Sequence, residues 1–164
     1  MSLPLSLIGA TLIVTSSFLL SRAYSGFLRK RRAESEELYR FILHIKGEVG
    51  RFLTPPERLL GEFSSPVLEA VGFTEKALEG GNLYSAFLKV RDRLSVSADV
   101  KKIVGDFLEG FGSDYRDGEI KRCDAYAEEL ESVIHREREE LERGERLVRA
   151  VLCASSLGIV ILLI

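Results

Sequence analysis

The chain has 164 residues, a formal net charge of −2, and 29% charged side chains. That is enough for one modest domain, but charge placement says more than the total. Every Lys, Arg, Asp and Glu lies between Arg22 and Arg149, leaving both ends bare, a pattern that a water-soluble domain rarely shows.

There is no Trp and there are only four Pro, so long helices are allowed. Cys123 and Cys153 sit in unlike surroundings and form no CxxC or Cys/His metal pattern. Both read as free thiols, as expected on a reducing side or in lipid.

Leu3 to Leu20 reads LPLSLIGATLIVTSSFLL, 18 residues without a charge. A membrane-crossing helix needs roughly 20 mostly apolar residues. Ser21, Ala23 and Tyr24 lengthen the stretch, and Tyr24 suits an interface. Residues 3–24 are therefore expected to form an N-terminal transmembrane helix. A cleaved signal peptide is the rival, but it needs a positive leader, and none precedes Leu3.

The middle, residues 25–146, reads as helix throughout. Leu38, Phe41, Ile42, Ile45, Val49 and Phe52 recur at three- and four-residue steps, one face of an amphipathic helix. It can run on from the membrane helix through the basic stretch. Thr54-Pro55-Pro56-Glu57 is a helix start, with a Thr cap, Pro at the first position and Glu three residues on. A short helix to about Phe63 should follow. Ser65-Pro66 starts another, with Val67, Leu68, Val71 and Leu78 inward, and Gly80-Gly81 stops it. Asn82 can cap a helix carrying Leu83, Phe87, Val90 and Leu94. Ser97 can cap one carrying Val100, Ile103, Val104, Phe107 and Leu108. Gly110 and Gly112 interrupt the chain, and Asp114 begins a long last helix. Its apolar positions are Ile120, Cys123, Ala127, Leu130, Ile134, Leu141 and Leu147 or Val148. Paired antiparallel with the Leu38–Phe52 helix, it would bring both ends of the chain side by side.

Ala150 to Ile164 reads AVLCASSLGIVILLI, 15 residues. Leu147 and Val148 add length, and Arg146 and Arg149 can snorkel to head groups. Residues 147–164 are expected to form a second transmembrane helix; the alternative is a buried core helix. Arg22, Arg29, Lys30, Arg31 and Arg32 follow the first apolar stretch, and Arg136 to Arg149 precede the second. Cytoplasmic flanks collect Lys and Arg, so the middle domain should be cytoplasmic with both chain ends opposite. The fold expected is all-α, a cytoplasmic bundle of about six helices flanked by two terminal transmembrane helices.

No catalytic motif stands out. There is no Gly-rich phosphate loop, HExxH, GxSxG or paired-Cys metal site. No cofactor is implied. His44 and His135 are lone histidines with helix-face or core roles. Glu128-Glu129-Leu130-Glu131 and the Arg/Glu-rich run from Arg136 to Arg146 read as solvated helix faces with i,i+4 pairs. The basic block Arg29 to Arg32 could meet nucleic acid. Beside a membrane helix it is more simply an orientation signal that attracts anionic lipid.

The order of these features resembles the stage III sporulation protein AB family of endospore-forming Firmicutes. An apolar first helix carries a Gly9-Ala10 step and ends in a basic run. The amphipathic helix then ends at Ile45 to Phe52 with Glu48, and Thr54-Pro55 opens the next, followed by Leu59 and Leu60. Phe111, Gly112, Ser113, Asp114 and Tyr115, then Glu119, Ile120 and Lys121, align with a stretch of the type Leu-Gly-x-Ser-Asp then Gln-x-Lys. Here the family's Leu is Phe111, its Ser-Asp pair is shifted or replaced, and its Gln is Glu119. The charged last helix and apolar tail complete the likeness.

The resemblance implies a membrane component of the complex that joins mother cell and forespore, facing the mother-cell cytoplasm. It implies a domain like that of the type II secretion platform, general secretion pathway protein F. The expected partners are a cytoplasmic secretion-type ATPase, stage III sporulation protein AA, the other membrane components of the channel, and the bilayer. No nucleic-acid partner and no catalysis are expected, and self-association into a homo-oligomer is open. Docking would use the Thr54–Gly118 region as the membrane-distal end. Candidates there are Glu57, Arg58 and Glu62, then Lys89, Arg91, Asp92 and Arg93, then Asp114, Arg116, Asp117 and Glu119. The competing readings are a membrane-anchored scaffold or sensor unrelated to sporulation, and a small membrane enzyme.

Overall fold

The computed structural model describes residues 3–51, 63–80 and 82–163. Side chains within the two longest helices are described for Thr15, Ser16, Leu19, residues 22–50 and 116–144, Arg146, Val148 and Val151. Among the described residues the fold is all-helical, with no strand. The elements are α1 (Leu3–Arg51), α2 (Pro66–Ala70), α3 (Phe73–Gly80), α4 (Leu83–Val90), a 3-10 turn (Arg91–Arg93), α5 (Ala98–Gly110) and α6 (Arg116–Leu163). The chain divides into two compact units. One holds residues 1–29 and 139–164; the other is Lys30–Arg138.

α1 runs unbroken through the basic stretch, as the sequence allowed. Pro4 sits in its first turn, where a missing N–H is harmless. The expected helix from Thr54 to about Phe63 lies outside the described residues, apart from Phe63. So do Glu57, Arg58, Phe52 and Glu62. Most of the two apolar stretches, 3–24 and 147–164, lies outside the described side chains, as does Cys153. Among the described residues no helix is long and apolar enough to cross a membrane.

Local chemistry sets the short helices. Ser65 caps α2, its Oγ accepting from the Leu68 N–H at 3.3 Å, with Pro66 first in the helix. Asn82 caps α4 by accepting from the Ser85 N–H at 3.1 Å, and Ser97 caps α5 by accepting from the Val100 N–H at 3.3 Å. Such caps satisfy helix-start donors that have no partner within the helix.

The single helix expected from Pro66 to Leu78 is instead two. Gly72 takes φ +83 between them, a left-handed conformation that ends α2 and re-aims α3. The turn shifts the inward face, so Phe73 and Ala77 are buried while Leu78 is 53% exposed. The apolar face of α4 ends with Val90, and Leu94 is buried beyond the helix, past the 3-10 turn.

The core of the Lys30–Arg138 unit gathers one face of each helix. α1 gives Leu38, Phe41, Ile42, Ile45 and Val49; α4 gives Leu83, Ala86, Phe87 and Val90. α5 gives Val100, Ile103, Val104, Phe107 and Leu108; α6 gives Cys123, Ala127, Leu130 and Val133. Full burial of a large apolar side chain contributes about 1.5–3 kcal/mol. Phe41 is fully buried, edge-on to Phe73 at 5.4 Å and tilted against Phe63 at 5.2 Å. Phe107 packs on Phe111 and Tyr126. On α6, Val133 takes a buried place that spacing had given to Ile134, which is half-buried beside it.

α1 and α6 are antiparallel in this unit. Arg31 pairs with Glu137 at 2.7 Å, the Tyr39 hydroxyl donates to Glu131 at 3.5 Å, and Lys46 pairs with Asp124 at 2.5 Å. Each step up α1 is matched by a step down α6.

Replacing Gly72 with Ala should destabilise the protein by about 1–2 kcal/mol, the cost of a left-handed L-residue. An added Cβ there would meet only Arg93 at ordinary contact distance, 3.6 Å. The penalty is therefore conformational, and urea melts of the two proteins should show it; equal midpoints would contradict the assignment.

Candidate docking surface

Two carboxylates, neither expected from the sequence to be buried, position the loops that carry the exposed charges. Glu34 is 1% exposed on α1. Its Oε2 accepts from the Ser95 N–H at 2.5 Å, and Lys30 Nζ lies 3.7 Å from its Oε1. This clips the segment between α4 and α5 onto α1. In the sequence Glu34 looks like the acid of a surface i,i+4 pair with Lys30, and only the fold shows its second partner. Ser35 is buried beside it, donating back to the Arg31 carbonyl at 3.1 Å.

Glu119 is 4% exposed, in the first turn of α6. Its Oε1 accepts from the Gly112 N–H at 3.1 Å and the Asp114 N–H at 3.0 Å. It folds the α5–α6 loop onto the helix start, with Gly112 at φ +85 supplying the bend. Glu119 was expected on the docking surface; burial removes it, and the carboxylate serves the loop instead. The helix also begins at Arg116 rather than Asp114.

The other candidates among the described residues are exposed but do not form one patch. Asp114, Arg116 and Asp117 lie at the end of the unit where α1 stops, since Arg116 donates to the Gly50 carbonyl. Arg91 and Arg93 precede Ser95, which Glu34 holds at the opposite end, where α1 enters the unit. The same end carries the Arg136–Asp99 pair at 3.0 Å. Glu34 and Gly50 are separated by about 24 Å of helix at 1.5 Å per residue. Residues expected to share one membrane-distal end are thus split, because α4 and α5 shuttle the chain from one end to the other.

The cations that follow the first apolar stretch are also more engaged than expected. Lys30 pairs with Glu34, Arg32 with Glu36 at 2.7 Å, and Arg31 is half-buried against Glu137. Arg22, Arg29 and Arg146 are exposed, and the side chain of Arg149 lies outside the described residues.

Between α4 and α5 runs a groove of about 300 Å³. Tyr84, Phe87 and Leu88 give it an apolar lining, and Arg91, Lys101, Lys102 and Asp106 line it with charge. Gly105 lies against Phe87 and leaves the groove open there.

Among the described residues no group of three or more His, Cys, Asp and Glu could hold a metal ion. His44 stacks on Phe63 at 5.2 Å, and His135 lies 4.0 Å from Glu131 on the surface. The Cys123 thiol is free and fully buried. Burial, then the nearby Glu119 and Asp124 carboxylates, push it up to about 11 from an ordinary 9.0. Such a thiol is inert rather than nucleophilic. Burial and Glu131 raise Tyr39, and the Asp124 hydrogen bond raises Lys46.

A family model described as Stage III sporulation protein AB (spore_III_AB) matches residues 6–164. A solved structure titled "Stage III sporulation protein AB (SpoIIIAB)" is similar at a TM-score of 0.56 and 18% identity. The match covers 70% of this chain and 98% of that chain. At that identity the likeness concerns the fold. No curated protein matches.

The Cys123 shift predicts an alkaline instability. A thiol whose pKa is higher folded than unfolded contributes stability below pH 9, and loses it as pH rises to about 11. Across that window the wild type should lose about 2–3 kcal/mol more than a Cys123→Ala variant. Parallel pH dependences in urea titrations would contradict a buried thiol.

Proposed function

The chain belongs to the stage III sporulation protein AB family, and we propose from that premise that it is a membrane platform of the sporulation channel between mother cell and forespore. In this reading it couples a cytoplasmic secretion-type ATPase, of the stage III sporulation protein AA kind, to the membrane machine. It performs no catalysis itself. The terminal stretches of α1 and α6 cross the membrane, and the Lys30–Arg138 unit stands in the mother-cell cytoplasm. Other membrane components of the channel are its lateral partners.

One observation carries the reading beyond family membership. Leu19, Tyr24, Phe27, Val148 and Val151 are all exposed in the unit built from the two chain ends. Large apolar side chains exposed in this way call for lipid or protein cover. The charge-free stretches 1–21 and 150–164, which begin or end near them, support lipid. The Lys30–Arg138 unit, by contrast, buries most of its large apolar side chains in one core and offers mixed charge, which sets partner register and on-rate more than raw affinity. A membrane-anchored scaffold unrelated to sporulation would share the architecture but not the ATPase.

Full-length protein in lipid nanodiscs should bind the purified ATPase. The affinity should fall by about tenfold as salt rises from about 0.05 to 0.5 M, since the contacts are charged and solvent-facing. The nanodiscs alone should hydrolyse no ATP. Absence of binding would remove the platform assignment, and ATP turnover by the nanodiscs alone would favour an enzyme.

A further inference from the structure

The positive side chains of the Lys30–Arg138 unit divide into two groups. Some form salt bridges: Arg31 with Glu137, Arg40 with Glu37, Lys46 with Asp124, Lys76 with Glu79 and Arg136 with Asp99. Arg91, Lys101 and Lys102, like Lys89, Arg93, Lys121 and Arg122, form none among the described residues, and these three come together along the α4–α5 groove. Asp106 is the groove's only acid. Leu88 adds an apolar side chain, 45% exposed, that the core does not use. A groove with three unmatched cations around an apolar strip is complementary to a segment that places an apolar side chain among carboxylates.

We propose that this groove is the docking site on the platform, and that its occupant is an acidic segment of the partner ATPase carrying a large apolar residue. The proposal rests on the platform reading and gives that contact its place and chemistry. Carboxylates of the segment meet Arg91, Lys101 and Lys102, which steer and orient it. Its apolar side chain lies against Leu88 and the Phe87 ring, where burial supplies a central anchor. Gly105 keeps the space open. A Cβ at that position would sit 3.6 Å from the Phe87 ring, in ordinary contact, so the first atom of a side chain fits and a longer one competes with an occupant for the groove. Nucleic acid is the other polyanion to consider. The apolar strip and Asp106 favour a protein segment over a phosphate backbone.

The test uses full-length protein in nanodiscs and the purified ATPase. Lys101→Glu with Lys102→Glu should weaken binding at least tenfold. Gly105→Leu, which changes no charge and improves helix propensity, should do the same by filling the groove. Glu128→Lys with Glu129→Lys, on exposed positions of α6, should bind within twofold of wild type. All variants should keep the wild-type helix content and melting temperature. A photo-cross-linking residue in place of Leu88 should capture the ATPase through an acidic segment. The groove assignment is overturned if both groove variants bind within twofold of wild type. It is also overturned if the cross-link falls on a second copy of this chain or on nucleic acid. In either case wild-type binding keeps the platform reading intact. If wild type fails to bind the ATPase at all, the platform reading falls and the groove assignment falls with it.

Discussion

The antiparallel pairing of α1 with α6 is the constraint on which the rest of the fold hangs. Neither helix could hold its shape in water by propensity alone, and most helix stability in proteins comes from packing an amphipathic face. α1 offers Leu38, Phe41, Ile42 and Ile45; α6 offers Cys123, Ala127 and Leu130; the short helices fill the space around them. The three polar rungs, Arg31–Glu137, Tyr39–Glu131 and Lys46–Asp124, add little energy. Exposed ion pairs typically contribute about 0–1 kcal/mol each. Their use is register, since a slip along α6 would break all three together.

Within that frame the two buried carboxylates act at a finer level. Glu34 fixes the segment ahead of α5, and Glu119 fixes the loop behind it. A carboxylate that accepts backbone N–H bonds is a strong, charge-assisted partner, and leaving those donors buried without one would be costly. α5 is therefore held at both ends, which fixes Lys101 and Lys102 beside α4. The groove's geometry is in this sense set by side chains that never touch it.

Much of the fold was legible in residue order. The inward face of α1 and the helix starts at Ser65, Asn82 and Ser97 follow from spacing and turn chemistry. The break at Gly72 was not legible, because a glycine between apolar residues reads equally as a weak helix position, and only φ distinguishes the two. Glu34 and Glu119 escaped because periodicity assigns every acid to solvent. The arrangement of the candidate docking residues was not legible. Sequence neighbours were gathered into one end, yet α4 and α5 reverse direction and carry Arg91 away from Asp114. The groove itself was invisible, since it pairs residues 84–91 with 98–106 across a turn.

The functional account needs the helix pair to do one thing beyond building a core. It must bring both apolar ends of the chain to the same bilayer, with the domain between them on the cytoplasmic side. Reporter fusions at Met1 and Ile164 measure this directly, using alkaline phosphatase, active only outside the cytoplasm, and green fluorescent protein, fluorescent only inside it. The account predicts active phosphatase and no fluorescence at both termini. Fluorescence with inactive phosphatase at either terminus would contradict it.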